Sequence, residues 1–142
     1  PSSIHEYILR ENEVQSSPFP MGEEAQKQTL RVIEVRGKVF FGMAPKLQNA
    51  LHTISQDKLT RCVVIHFNSS HCLDYTLAST LIEAGQKLEK QNIEFIISGL
   101  SEVSERELKN VQQFTQTLKL HYLTETGVWD PKKHQKALLL HK

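Results

Sequence analysis

The sequence predicts an α/β fold: an αβ sandwich in which a mixed, mainly parallel sheet of four to five strands packs against about four helices. Three observations lead there. The run RCVVIHF, residues 61–67, is almost continuously apolar and β-branched, as a strand buried on both faces reads. From residue 43 onward, segments with apolar residues at helical spacing alternate with strand-like segments, and alternation of that kind requires crossover connections between parallel strands. The length, 142 residues, suits one domain with one hydrophobic core.

In residues 1–27, SSIHEYILRENEV has only a weak amphipathic pattern, and the following QSSPFPMGEEAQKQ is polar, with two prolines and a glycine. Residues 1–27 are therefore expected to be a linker or N-terminal arm, and residues 28–142 the folded domain. LRVIEV, residues 30–35, is rich in β-branched residues. Arg36-Gly37 signals a turn, and KVFFG, residues 38–42, reads as a second short strand, so the two are expected to pair as a hairpin. Leu47, Ala50, Leu51 and Ile54 then mark one face of a helix, with Pro45 in its first turn.

After the central strand, Leu77, Leu81, Ala84 and Leu88 predict a second helix ending near Gln91-Asn92, and IEFIIS, residues 93–98, a buried strand. Ser104 followed by Glu107 has the form of a capping box, which starts a third helix there through Leu108, Val111, Thr115 and Leu118. LKLHY, residues 118–122, is expected at the sheet edge. Asp130 as cap and Pro131 at the first helical position open a closing helix through Ala137, Leu138 and Leu140, anchored by Val128 and Trp129.

Composition removes several function classes. Seventeen Lys plus Arg stand against sixteen Asp plus Glu, scattered along the chain, so no basic stripe marks a nucleic-acid or membrane-surface binder. The DPKKHQK stretch near the C-terminus reads as a solvated helix face. The two cysteines, Cys62 and Cys72, lack a secretory signal, which points to a reducing compartment. The longest apolar run is far too short to insert in a membrane. Because the chain begins with Pro1, it is expected to be processed, stripped of a tag, or cut from something longer.

The densest cluster of chemistry-bearing residues is SSHCLDYTLAST, residues 69–80. It follows the central strand and enters the second helix. Asp74 sits where an N-cap belongs, able to accept from the backbone N–H of Thr76 or Leu77 and to oppose the helix dipole. Ser69, Ser70 and His71 fall at the carboxyl end of a parallel strand, where ligand and regulatory surfaces form. Ser69, Ser70, His71, Tyr75 and Ser79 are therefore the candidate interaction surface.

The same residues raise two sharper readings. Cys62 and His66, four apart on a strand, point to one face, with His71 and Cys72 close behind, which would suit a small metal-binding protein or enzyme. Yet the spacing matches no usual pair of close zinc ligands, so neither metal nor cofactor is expected. No G-x-S-x-G elbow, Gly-rich phosphate loop or His-Glu-x-x-His is present, and a non-enzyme is expected. The seven histidines do not converge on one site, and they would make the domain pH-sensitive where they are buried. Of Phe40 and Phe41, alternation sends one into the core and the other under a helix or against a partner.

Three strings taken together carry a family resemblance: LRVIEVRGKVFFGMAPKLQNAL, RCVVIHFNSSHCLDYTLASTL and LEKQNIEFIISGLSEVSERELK. In order and spacing, residues 30–140 resemble a STAS domain, the module shared by sulfate-transporter-type anion permeases and anti-sigma factor antagonists. VFFG at residues 39–42 is closer to the permease branch. The resemblance implies a regulatory, protein-interaction domain on the cytoplasmic side of the plasma (inner) membrane, as part of a sulfate-permease-type transporter. Its partners would be the transmembrane part of the same chain, a second copy in a homodimer, or a soluble regulatory protein.

The alternative that the family offers is a stand-alone cytoplasmic protein, an anti-sigma factor antagonist or stress-complex phospho-switch. There the residue two after the capping aspartate is phosphorylated. Thr76 holds that place here, after Asp74, although Tyr75 and Leu77 stand where that branch usually has Ser and Gly.

Overall fold

A computed structural model describes residues 3–10, 13–18, 30–36, 43–68, 73–112 and 121–123. Six strands form one sheet: β1 (Ser3–Arg10), β2 (Glu13–Pro18), β3 (Leu30–Arg36), β4 (Cys62–Asn68), β5 (Glu94–Ser98) and β6 (His121–Leu123), in the order β2-β1-β3-β4-β5-β6. β3, β4, β5 and β6 run parallel, while β1 is antiparallel to both β2 and β3. The described helices are α1 (Met43–Ser55), α2 (Tyr75–Lys90) and α3 (Glu102–Gln112), each crossing over between consecutive parallel strands. The α/β class and the mainly parallel sheet are as the alternation predicts, with β4 at the middle.

The N-terminal stretch, expected to be a linker or N-terminal arm, contains β1 and β2, which extend the sheet. It also changes the pairing of β3. The antiparallel neighbour of β3 is β1, with Val32 opposite Tyr7 and Arg36 opposite Ser3, and its other edge is taken by β4. β3 therefore has no edge left for the expected hairpin with residues 38–42, which lie outside the described residues. So do the closing helix, Asp130 and Trp129.

The three helices pack on one face of the sheet. There Ile33 and Val35 of β3, Val63, Ile65 and Phe67 of β4, and Phe95 and Ile97 of β5 meet Leu47, Leu51 and Ile54 of α1, Leu77, Leu81 and Leu88 of α2, and Leu108 of α3. Strand alternation sends the intervening residues to the other face, where Val32, Cys62, Val64 and Ile96 form a second, smaller apolar cluster. β4 is thus buried on both sides, which is why its sequence shows no alternation.

The helix ends follow local chemistry. α2 stops where Asn92 adopts a left-handed φ of 61°, and the N–H groups of Asn92 and Ile93 close back on the carbonyls of Glu89 and Leu88. α3 starts three residues before the expected box: the Ser101 hydroxyl oxygen accepts from the Ser104 N–H at 3.1 Å, which makes Ser101 the cap. Ser104 is instead a buried first-turn residue.

Candidate functional site

The N-terminus of α2 is held from both sides. Asp74, in extended backbone geometry, accepts the Leu77 N–H on Oδ1 at 2.7 Å, while its own carbonyl takes the first helical bond from Ala78. One residue earlier, buried Leu73 donates its N–H to the Ser104 hydroxyl at 3.0 Å, and the Ser101 hydroxyl donates to the same oxygen at 3.1 Å. The first turn of α3 therefore clips the entry to α2. With Leu73 fixed, the next side chains turn outward: Asp74 and Thr76 are exposed and Tyr75 is 67 % exposed.

Val103, beside the clip, is 56 % exposed, so two apolar side chains face solvent at the same end of the helical layer. Ser79 and Thr80, one turn on, are half-buried, and the Thr80 hydroxyl donates to the Thr76 carbonyl at 2.9 Å. Asp74, Tyr75, Thr76 and Ser79 are thus brought together. Ser69, Ser70, His71 and Cys72 lie outside the described residues.

The capping role has a measurable consequence. Asp74→Ala removes the acceptor of an exposed helix start, and an unfolding free energy lower by about 1 kcal/mol is expected. Urea titration followed by circular dichroism checks this, and Asp74→Asn, which keeps a capping oxygen, is expected to recover most of the loss.

Cys62 and His66 do share a face, yet each has its own surroundings. Cys62 is buried among Val32, Val64 and Ile96. His66 is fully buried, with Nδ1 2.6 Å from the Ser98 hydroxyl. Among the described residues no three His, Cys, Asp or Glu side chains are grouped to hold a metal.

Sequence reasoning passed over several residues that shape this end of the molecule. Ser98 and Ser101 sit near Gly99, and a lone serine at a strand end carries little signal. Glu34 had a signal: it is a charged side chain inside a run of β-branched residues, fully buried in the structure.

Comparison with known proteins fits this geometry. The STAS domain profile matches residues 23–121. YbaR of Bacillus subtilis (strain 168), named as a sulfate transporter, is 33 % identical over 95 residues, which cover 67 % of this chain and 19 % of that protein. The chain therefore spans about a fifth of the length of that curated relative.

Among solved structures, SLC26A9 superposes with a TM-score of 0.62 over 96 % of this chain and 24 % of its own, at 9 % identity. An anti-sigma factor antagonist from Mycobacterium paratuberculosis gives 0.55 over 78 % and 86 % of the two chains, at 18 % identity. A variant of RsbS from Moorella thermoacetica gives 0.56 over 79 % and 92 %, at 15 % identity. The architecture is therefore common to transporter-linked and antagonist proteins. Among the described residues no helix is long and apolar enough to cross a membrane. With its profile matched over well more than half of its length, the chain belongs to the STAS domain family.

Proposed function

We propose that this chain is the regulatory, protein-interaction domain of a sulfate-permease-type anion transporter, lying on the cytoplasmic side of the membrane and carrying no catalysis of its own. The identity to YbaR over 95 residues carries the reading, since only a fifth of that protein is needed to account for the whole match. The geometry supports a docking role. Asp74 and Ser104 fix the α2 entry and leave Tyr75 and Thr76 outward, at the same end of the helical layer as exposed Val103. The surface meets the transmembrane part of the same chain, a second copy or a soluble regulator.

The test is sulfate uptake by cells or vesicles carrying the complete native gene product. Uptake is expected, and Tyr75→Ala is expected to reduce it at least about twofold while the protein level stays constant, because aromatic anchors dominate docking energies. A native polypeptide no longer than this chain, found free of membranes, would overturn the reading.

One observation favours a second reading, the soluble phospho-switch: Thr76 is exposed and stands two residues after a capping aspartate. Phosphate there adds roughly two negative charges next to Asp74, whose carboxylate already occupies the Leu77 N–H, so both the cap and an acidic-averse partner would be disturbed. Incubation with the cognate kinase followed by intact mass decides it. One added phosphate, absent in Thr76→Ala, is the outcome this second reading requires.

A further inference from the structure

α1 and α2 share a surface that the docking end of α2 does not use. Each crosses back between consecutive parallel strands of one sheet, so the two helices run parallel, with their C-termini at the end away from Tyr75 and Thr76. They pack side by side, and between them lies a groove of about 370 Å³. Its floor is apolar, built from Leu51 of α1 and Ala84 and Leu88 of α2, all three buried in the core. Ala84 ends at its Cβ and cannot fill the space between the walls. The walls are polar: Gln48 and His52 on one side, Glu83, Lys87 and Lys90 on the other. Because these side chains are exposed, the groove is open to a partner.

Shape narrows the occupant. On α2 the lining runs from Thr80 to Gln91 along the helix axis, about 16 Å at a rise of about 1.5 Å per residue, or three turns. Both walls are helices, whose mid-helix N–H and C=O groups are already paired within them. An extended peptide laid between them would leave its own backbone groups without partners, whereas a helix satisfies its backbone internally. One face of a three-turn helix also places apolar anchors at i, i+3 or i+4 and i+7, which matches a long apolar floor.

Charge narrows it further. Along the lining two ammonium groups, Lys87 and Lys90, stand against one carboxylate, Glu83. Among the described residues none of the three is held in an ion pair. Both lysines lie in the last turn of α2, at the end where the parallel helices carry the negative ends of their dipoles. A helix lying antiparallel to both brings its positive N-terminal end there. Acidic residues in its first turn then suit its own dipole and meet the two lysines.

We propose that the α1–α2 groove is a second docking site, which takes an acidic amphipathic helix of a partner protein. The helix lies antiparallel to α1 and α2, with its apolar stripe on Leu51, Ala84 and Leu88 and its acidic first turn on Lys87 and Lys90. This site occupies a different stretch of α2 from the Tyr75 end, so the two are separable by mutation.

The probe is a synthetic helical peptide of about 15 residues, with Asp and Glu in its first turn and Leu at i, i+4 and i+7, titrated into the isotope-labelled whole chain. Saturable amide shifts confined to residues 48–56 and 80–91 are expected. The Lys87→Glu, Lys90→Glu double variant, changed only at exposed positions, is expected to bind at least about tenfold more weakly and to prefer a peptide with Lys in its first turn. Equal binding by a peptide of the same composition with its apolar stripe scrambled overturns the proposal, as do unchanged affinity in the double variant and shifts that fall elsewhere. Octanoate shifting these amides where the peptide does not would assign the groove to a small amphipathic anion. Concentration-dependent shifts of the same amides without any probe would assign it to a second copy of the chain. Either result overturns the proposal.

Discussion

Gly99→Ala is expected to lower the unfolding free energy by about 3 kcal/mol or more. Two independent causes add. Gly99 has φ +81°, a region in which a β-carbon costs about 1–2 kcal/mol. The new Cβ would also press into the Phe67 carbonyl oxygen and sit 2.9 Å from His66 Cε1 and 3.0 Å from His66 Nδ1. The first of these is backbone in the central strand and cannot swing aside, so the ends of β4 and β5 must separate, with an overpacking cost of about 1–3 kcal/mol.

A lowered urea midpoint with an unchanged m-value measures the loss. The His66–Ser98 bond is expected to break as well, which the imidazole nitrogen shifts would report. A midpoint within a few tenths of a kcal/mol of wild type would show that the two strand ends are not in close contact.

This position also shows how far the sequence could be read. Ser98-Gly99 is visible as the end of a buried strand, but the need for glycine comes from the approach of another strand, 32 residues earlier for the His66–Ser98 bond, and one-dimensional pattern does not contain it. The central elements were legible for a definite reason. β4 and β5 are uninterrupted apolar runs, α1 and α2 bury one regular stripe each, and the Asp74 cap depends only on residues within four positions of it.

Local rules failed where the partner was distant. Ser104 and Glu107 satisfy the capping-box pattern, yet Ser104 is taken by Leu73, 31 residues away, and Ser101 caps α3 instead. Residues 4–9 carry only a weak amphipathic pattern, because Ile4, Glu6, Ile8 and His5, Tyr7, Leu9 mix polar with apolar residues in both alternating sets. The place of β1 in the sheet comes from the open edge of β3. The candidate surface was legible as a location, through the cap and the strand end. Val103 and the serine clip, supplied by α3, were not.

The Arg31–Asp57 pair, at the far end of the sheet, gives a prediction that separates stability from docking. Asp57 lies in the turn between α1 and β4, and its two oxygens do different work. Oδ1 accepts the Leu59 N–H at 3.0 Å, shaping the turn, and Oδ2 meets Arg31 Nη1 at 3.2 Å. Both side chains are nearly closed to water, with exposures of 2 % for Arg31 and 7 % for Asp57. Asp57→Ala therefore removes a carboxylate paired with a buried guanidinium, and a loss of about 3–5 kcal/mol is expected.

Asp57→Asn keeps an oxygen for Leu59 and is expected to recover about 1 kcal/mol, the part due to the turn. Arg31→Met in the Asp57→Ala background removes the buried guanidinium that has lost its Asp57 partner, so the double variant is expected to be more stable than Asp57→Ala alone. Simple additivity of the two single losses would show that the pair is not coupled. Because the turn lies at the N-terminal ends of the parallel strands, away from Tyr75 and Thr76, the surviving folded fraction of Asp57→Asn is expected to dock as wild type does. A docking defect in that variant beyond its unfolded fraction would mean that the two ends of the sheet communicate.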